Sequence, residues 1–196
     1  MIRKMAVLFV AVLILAVCTC MAPAAEFMAD MVIKSAQGGE MPGKVFVKGQ
    51  RMRQEIETPQ GEQAMILDPA KNILYVLMPG APVYMEVENK ETSVVALDEN
   101  QTLESRFEGE AEVTHEGVET IEGYTCDKYF VVFHDPEMGE STIWVAEKIN
   151  FPIKIHSKNP KDTVTVTYSD IKEGPVDDSL FSVPSDYQKM EFGVSG

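Results

Sequence analysis

The sequence predicts a mainly β protein of about ten or eleven strands, arranged as a sandwich or a barrel. Two observations lead to this prediction. Apolar and polar residues alternate with a period of two over most of the chain, and turns containing Gly, Pro, Asn or Asp separate the alternating stretches at short intervals. Helical periodicity is confined to two short stretches. Many short strands with little helix are typical of these two architectures.

The first 24 residues have the features of a secretory signal peptide. Arg3 and Lys4 precede an apolar run over residues 5–17, and A-P-A at 22–24 is a cleavage signal. The run is shorter than the roughly 20 apolar residues that a membrane span needs. An alternative is lipidation of Cys18, against which Val17 argues, because that position normally holds a small residue. We therefore predict cleavage near Ala24, a periplasmic or secreted protein, and a single domain over residues 25–196 without a transmembrane segment.

The mature protein is predicted to be acidic and free of disulfides. Removing 24 of 196 residues leaves 172, and takes away two of 17 basic residues and none of 31 acidic ones, so the net charge becomes −16. Such a charge disfavours nucleic acid and anionic lipid surfaces, and it favours a basic envelope protein as a partner. Cys18 and Cys20 leave with the leader, so Cys126 remains alone and is expected to be buried.

The strands are predicted to follow one another as hairpins. The first begins at Glu26 and ends before Gly38-Gly39. Gly49-Gln50 separates the next two, at 44–48 and 51–57, with a length and composition typical of a primed hairpin turn. Further strands are predicted at residues 63–67, 72–78, 83–88, 110–119, 123–134, 141–146, 153–156 and 164–168.

The two helical stretches lie at 90–107 and 177–184. In the first, apolar residues recur at helical spacing and are expected to form the buried stripe of one or two short helices: Val94, Leu97, Leu103 and Phe107. In the second, Asp177 is predicted to cap one helical turn, Phe181 to anchor it in the core and Pro184 to end it.

Three of the predicted strands are apolar on both faces, at 73–78, 129–133 and 143–146. Trp144 and Ala146 share one face of the last of these, and Ile143 and Val145 share the other. Such strands need cover on both sides, and short helices provide little of it. Part of this apolar surface is therefore expected to bind a hydrophobic ligand, to which a few hundred Å² at about 25 cal/mol per Å² would contribute several kcal/mol.

The sequence shows no local motif for catalysis or metal binding. His115, His134 and His156 each lack a second His or Cys at ligand spacing. Neither a nucleophile elbow nor a P-loop nor a dinucleotide fingerprint is present, and Cys126 has no His near it in sequence. We therefore expect a protein that is not an enzyme and that uses no metal or cofactor.

Several stretches resemble the outer-membrane lipoprotein carrier and sorting (LolA/LolB-like) superfamily: W-V-A at 144–146, F-P-I-K-I at 151–155 and Y-S-D-I at 168–171. F-M-A-D at 27–30, G-K-V-F-V-K-G-Q-R-M-R at 43–53 and D-D-S-L-F-S-V-P at 177–184 are similar to a secreted bacterial family of unknown function beside it. The resemblance implies an incomplete antiparallel β-barrel, or half-barrel, with helices over its open side and an apolar cavity for lipid or acyl chains. Residues 37–43 leave no room for the longer N-terminal helix of the carriers.

Two functional hypotheses follow. The first is a non-enzymatic periplasmic protein that binds a lipid, a lipoprotein acyl chain or another hydrophobic ligand. The second is a cell-envelope protein-interaction or structural module whose apolar face is filled by its own core or by a partner chain. For the first, strand parity predicts this cavity lining: Met31, Ile33, Val45, Val47, Met52, Ile56, Met85, Val131, Phe133, Trp144, Ile153, Ile155, Val164 and Val166.

Overall fold

A computed structural model describes residues 25–88 and 102–190, which form strands and two short helical elements. The helical elements are α1 (Leu103–Arg106) and a 3₁₀ helix (Asp178–Phe181). The strands are β1 (Glu26–Ser35), β2 (Gly39–Lys48), β3 (Arg51–Thr58), β4 (Gly61–Asp68), β5 (Ile73–Met78), β6 (Val83–Glu88), β7 (Ala111–Ile121), β8 (Tyr124–Phe133), β9 (Glu140–Ala146), β10 (Phe151–Lys158), β11 (Thr163–Glu173) and β12 (Gln188–Lys189).

All twelve strands belong to one sheet, in the order β12-β6-β5-β4-β3-β2-β1-β11-β10-β9-β8-β7. Neighbouring strands are antiparallel, except that β12 runs parallel to β6. The end strands β7 and β12 do not pair with each other, so the sheet stays open. The predicted half-barrel class is therefore confirmed.

A hydrogen bond across the sheet shows which way it curves. Gln54 on β3 donates from Nε2 to the hydroxyl oxygen of Tyr168 on β11, at 3.2 Å. Because β2 and β1 lie between these strands, their backbones would be about 14 Å apart in a flat sheet. The sheet must bend toward the side on which the two side chains meet. We call this the concave side.

The core consists of three clusters of buried side chains. The first cluster lies on the concave side and contains Phe27, Ala29, Met31, Val45, Val47, Ile56, Cys126, Trp144, Ala146, Ile149, Phe151, Ile153 and Tyr168. The second cluster packs the helical turn before β7 against β8 and β9: Leu103, Phe107, Val131, Ile143 and Val145. The third cluster joins β4 and β5 to the segment after β11: Ala64, Ile66, Leu77, Val176 and Phe181.

Most predicted turns and helical elements are confirmed. Gly49 and Gln50 form the two-residue turn between β2 and β3, with Gly49 at φ +60°. Asp177 caps the 3₁₀ helix by accepting the Ser179 N–H at 2.8 Å, and Phe181 is buried. Leu103 and Phe107 are buried as expected. The predicted leader, with Cys18, and the predicted stripe residues Val94 and Leu97 lie outside the described residues.

Three strands differ clearly from the prediction. β11 runs to Glu173 rather than ending at Tyr168, because residues 169–173 continue to pair with β1. β2 begins at Gly39 rather than Lys44, because residues 39–43 continue to pair with β1 although they lack alternation. The two-residue strand β12 has no sequence pattern of its own and forms by pairing with β6. Its position at the end of the sheet depends on a contact that is distant in sequence.

A β-bulge in β10 separates two isoleucines that the sequence places on one face. The pairing of β10 with β9 shifts between Pro152 and Lys154. Ile153 then lies in the first cluster, whereas Ile155 packs against the second. Ile155 pairs with Val166 on β11 and with Ile143 on β9, so the two isoleucines pack in different clusters although the register with β11 is unbroken.

Candidate functional site

The concave side of β3–β6 carries a continuous apolar surface. Two lines of cross-strand pairs build it, the first through Met52, Leu67, Leu74 and Val87 and the second through Gln54, Met65, Val76 and Met85. We call the apolar members that remain partly exposed the concave methionine face: Met52, Met65, Leu74, Val76, Met85 and Val87. Alternation along each strand sends the third cluster to the opposite side of the same sheet.

The concave methionine face is the edge of the core rather than its centre. Met52 and Met65 pack against the first cluster, whereas Val87, at the far end of the face, is 44% exposed. The two helical elements of the described chain pack elsewhere, α1 on β7 and the 3₁₀ helix on β3 and β4 from the third cluster's side. The face thus combines apolar side chains with access from outside.

The exposure of β5 differs from the expectation. The sequence predicts that residues 73–78, apolar on both faces, are fully covered. The strand forms as predicted, but Leu77 is its only buried residue and the other five are half-buried. Because β5 lies near the open end of the sheet, one of its two faces is only partly covered. This face is the apolar surface that the sequence predicted to be left over from the core.

The fourteen predicted lining residues do not form one wall. Six lie inside the first cluster: Met31, Val45, Val47, Ile56, Trp144 and Ile153. Ile33, Met52 and Val166 are half-buried against that cluster. Val131 lies inside the second cluster, with Phe133 and Ile155 packed against it, while Met85 and Val164 are half-buried and belong to neither. The buried members contact their own core, so only the half-buried ones on the concave side are positioned to meet a ligand.

Sequence reasoning missed four members of the concave methionine face: Met65, Leu74, Val76 and Val87. Their strands were predicted correctly. The missing information was the order of the strands, because it decides which face of β4 and β5 continues the concave side. In the structure this face of β4 can be recognised, because half-buried Met65 alternates with buried Ala64 and Ile66.

A charged groove borders the first cluster. It has a volume of about 780 Å³ and lies along β1, β2, β3 and β4. Its lining includes four acidic residues and one lysine: Asp30, Glu55, Glu57, Glu62 and Lys44. Arg53 bonds Glu55 at 2.8 Å. Asp30, Lys44 and Glu55 are direct cross-strand neighbours and alternate with Met31, Gly43 and Ile56, so the charged groove lies on the side of the sheet opposite the concave side.

The titratable groups of the core are held in their neutral forms. Burial raises the pKa of the Cys126 thiol, which donates to the Tyr124 carbonyl at 3.4 Å. Burial also raises the pKa of Tyr168 to about 12. A buried, protonated thiol is a poor nucleophile. Within residues 25–88 and 102–190 no three His, Cys, Asp or Glu side chains are grouped closely enough to hold a metal ion.

The fold and the face together define an open half-barrel with an apolar concave surface. The chain belongs to the family described as domain of unknown function DUF4412, whose model matches residues 27–150. This confirms the predicted resemblance to a family of unknown function. No curated protein sequence matches the chain. None of the described helices has the length and hydropathy of a membrane span.

Solved structures share the fold at low sequence identity. An uncharacterized conserved protein from Thermus thermophilus has a TM-score of 0.57 at 9% identity, covering 84% of this chain and 90% of its own. A chain of the Pseudomonas aeruginosa MucA/MucB complex has a TM-score of 0.54 at 12% identity. The match covers 85% of this chain but only 58% of the length of that one. The LolA superfamily protein NE2245 from Nitrosomonas europaea has a TM-score of 0.40 at 15% identity, covering 82% of this chain and 91% of that one.

Proposed function

We propose that this protein is a non-enzymatic carrier or binding protein of the cell envelope, and that its ligand is a lipid, a lipoprotein acyl chain or another hydrophobic molecule. The ligand lies against the concave methionine face. One observation carries the proposal: apolar side chains of four adjacent strands remain partly exposed on the concave side of an open sheet. Contiguous exposed apolar surface marks binding sites on soluble proteins.

The chemistry of the face suits an acyl chain. Met52, Met65 and Met85 contribute flexible thioethers that adapt to chains of different shape. Burying a few hundred Å² of apolar surface gives about 5–10 kcal/mol before the entropy of association is subtracted. The proposal therefore expects micromolar affinity.

The absence of catalysis is part of the proposal. Cys126 is buried and protonated, so it is not available as a nucleophile. The predicted leader at residues 1–24 supports a periplasmic or secreted location after cleavage near Ala24.

A protein-interaction module is the second candidate. One observation favours it: a fold neighbour with a TM-score of 0.54 comes from a complex of two proteins, MucA and MucB. In this case the concave methionine face would be covered by a partner chain. The two candidates differ in whether the isolated protein binds a free hydrocarbon chain.

The test is titration of the purified mature protein with a fluorescent long-chain acyl probe. Val87→Glu places a charge on the concave methionine face, and Val132→Glu is the matched control, because Val132 is 40% exposed and lies on β8. Val87→Glu should weaken binding at least about tenfold, since a carboxylate must then be desolvated beside the ligand. Val132→Glu should bind as the parent does.

Native mass spectrometry of protein purified from its own envelope supplies the second measurement. A co-purified lipid would support the carrier and identify its ligand. If natively folded protein carries no lipid and binds no long-chain probe, the carrier proposal is wrong and the interaction module stands.

A further inference from the structure

β7 lies at one end of the sheet, and within residues 25–88 and 102–190 no strand pairs with its outer edge, which we call the free edge. Two backbone hydrogen bonds fix the orientation of this hairpin. The His134 N–H donates to the Glu110 carbonyl at 2.9 Å, toward β7, and the Phe133 N–H donates to the Gly139 carbonyl at 3.0 Å, toward β9. Along β8, therefore, even-numbered residues bond β7 and odd-numbered ones bond β9.

The register then identifies the backbone groups of β7 that point away from the sheet. Before the bulge at 115–117, Glu112 and Thr114 face the even-numbered residues of β8, so the N–H and C=O of Val113 and His115 point outward. Beyond the bulge, Gly117 pairs with Lys128, so Val118 and Thr120 point outward.

One end of this edge is already occupied. The outward N–H of Ala111 donates to the Phe107 carbonyl at 3.0 Å, so the turn after α1 covers the start of the strand. The open part of the edge runs from Val113 to Thr120. At about 3.4 Å per residue it is about 27 Å long, enough for an added strand of eight residues.

Acidic side chains surround the free edge. Residues 111–122 contain no Lys or Arg and four exposed glutamates: Glu112, Glu116, Glu119 and Glu122. Lys128 on β8 pairs with two of them, Glu116 at 3.3 Å and Glu119 at 3.2 Å. The charge of the edge remains strongly negative.

The negative charge of the β7 edge determines which kind of chain can pair with it as an added strand. A second copy of β7 would place glutamates beside glutamates, which is unfavourable for strand pairing. A segment rich in Lys or Arg meets the glutamates with the opposite charge, and its backbone completes the unpaired ladder.

We propose that the β7 edge binds an extended basic peptide segment of a partner protein as an added strand. Backbone hydrogen bonds at Val113, His115, Val118 and Thr120 hold the segment, and the glutamates select its charge. The site is separate from the concave methionine face, so the proposal does not depend on lipid binding.

The probe is an eight-residue peptide of alternating Lys and Thr with blocked termini, compared with its Glu-Thr counterpart. Binding is measured by calorimetry, and amide exchange of the complex is followed by NMR. The Lys-Thr peptide should bind and slow exchange at Val113, His115, Val118 and Thr120. The Glu-Thr peptide should not bind, and added salt should weaken the Lys-Thr complex.

Two pairs of variants separate strand addition from general charge attraction. Val118→Pro removes one outward N–H, and edge strands accept proline where the N–H faces solvent; Val118→Ala keeps the N–H and is the control. Val118→Pro should bind about tenfold more weakly than Val118→Ala, because a ladder bond is lost and the ring obstructs pairing. Glu112→Gln with Glu122→Gln should weaken binding, whereas Glu57→Gln with Glu62→Gln, on the β3–β4 hairpin, should not.

Each outcome bears on the proposal. Equal binding to Val118→Pro and Val118→Ala, or protection spread over the whole acidic surface, would show charge attraction alone and overturn it. Failure of the Lys-Thr peptide to bind natively folded protein would also overturn it. Val87→Glu should leave peptide binding unchanged, so a failed carrier proposal and a failed edge proposal remain distinguishable.

Discussion

The indole of Trp144 donates its N–H to Glu119 at 2.9 Å, joining β9 to β7 across β8. The Lys154 ammonium lies 4.5 Å from the centre of the ring and that of Lys128 lies 5.6 Å from it. The hydrogen bond from Trp144, followed by that from Lys128, lowers the pKa of Glu119. A large apolar ring with its one polar atom satisfied is well suited to the margin of the core.

We predict that Trp144→Ala destabilises the protein by about 3–5 kcal/mol, because the indole is 8% exposed and packs in the first cluster. Urea denaturation followed by circular dichroism measures the change. Trp144→Phe, which keeps an aromatic ring but loses the hydrogen bond to Glu119, should cost less. A change near zero for Trp144→Ala would mean that the ring lies on an open rim.

The second prediction concerns the close approach of β2 to β3. A Cβ added at Gly43 would lie 2.2 Å from the Glu55 carbonyl oxygen and 3.0 Å from the end of the Met31 side chain. Gly43→Ala must therefore push two paired strands apart, and we expect a loss of about 2 kcal/mol or more. Gly80→Ala is the matched control, because nothing lies within 4 Å of its Cβ. Equal denaturation midpoints for the two variants would contradict this prediction.

Local patterns were enough to predict the elements of the fold. The two-residue turn at Gly49-Gln50, the cap at Asp177 and nearly all strand positions depend on residues close together in sequence. Strand β12 and the long start of β2 could not be predicted this way, since each forms by pairing with a strand whose position only the folded sheet defines.

The candidate site was predicted only in part, and strand order explains the difference. Met52 and Met85 were expected to line a cavity, and both lie on the concave methionine face. Val131 was expected there too, but it is completely buried in the second cluster, and Ile155 packs against that cluster. Parity along one strand cannot show which residues of an apolar face the core already covers: Ile155 shares the face of Val166 and Ile143, but it packs against the second cluster.

A third prediction concerns the thiols and the processed N-terminus. Cys126 is fully buried and its pKa is raised by burial, so native protein should react slowly with a thiolate-specific reagent. After denaturation, one thiol per chain should react, because Cys18 and Cys20 are predicted to leave with residues 1–24. Intact mass should match a chain starting near Ala25. A mass corresponding to a diacylated Cys18 would instead establish a membrane-anchored lipoprotein.

The last prediction is a loss of stability at alkaline pH that depends on Tyr168. Burial raises the pKa of its phenol from 10.0 to about 12 in the folded protein. The unfolded chain ionises first as pH rises, so the stabilisation from the neutral phenol is complete below pH 10 and is lost through pH 12. The loss should be on the order of 2–3 kcal/mol, measured by urea denaturation at increasing pH.

Tyr168→Phe should lower stability near neutral pH by about 1 kcal/mol, through loss of the contact with Gln54, and should flatten the alkaline decline. Tyr124→Phe is the comparison variant: the pKa of Tyr124 is also raised to about 12, but its hydroxyl lies at the surface and bonds Glu173, so solvent screens its share of the alkaline decline. That variant should keep the decline caused by Tyr168. An ultraviolet titration that finds Tyr168 ionising near pH 10 in folded protein would overturn this account.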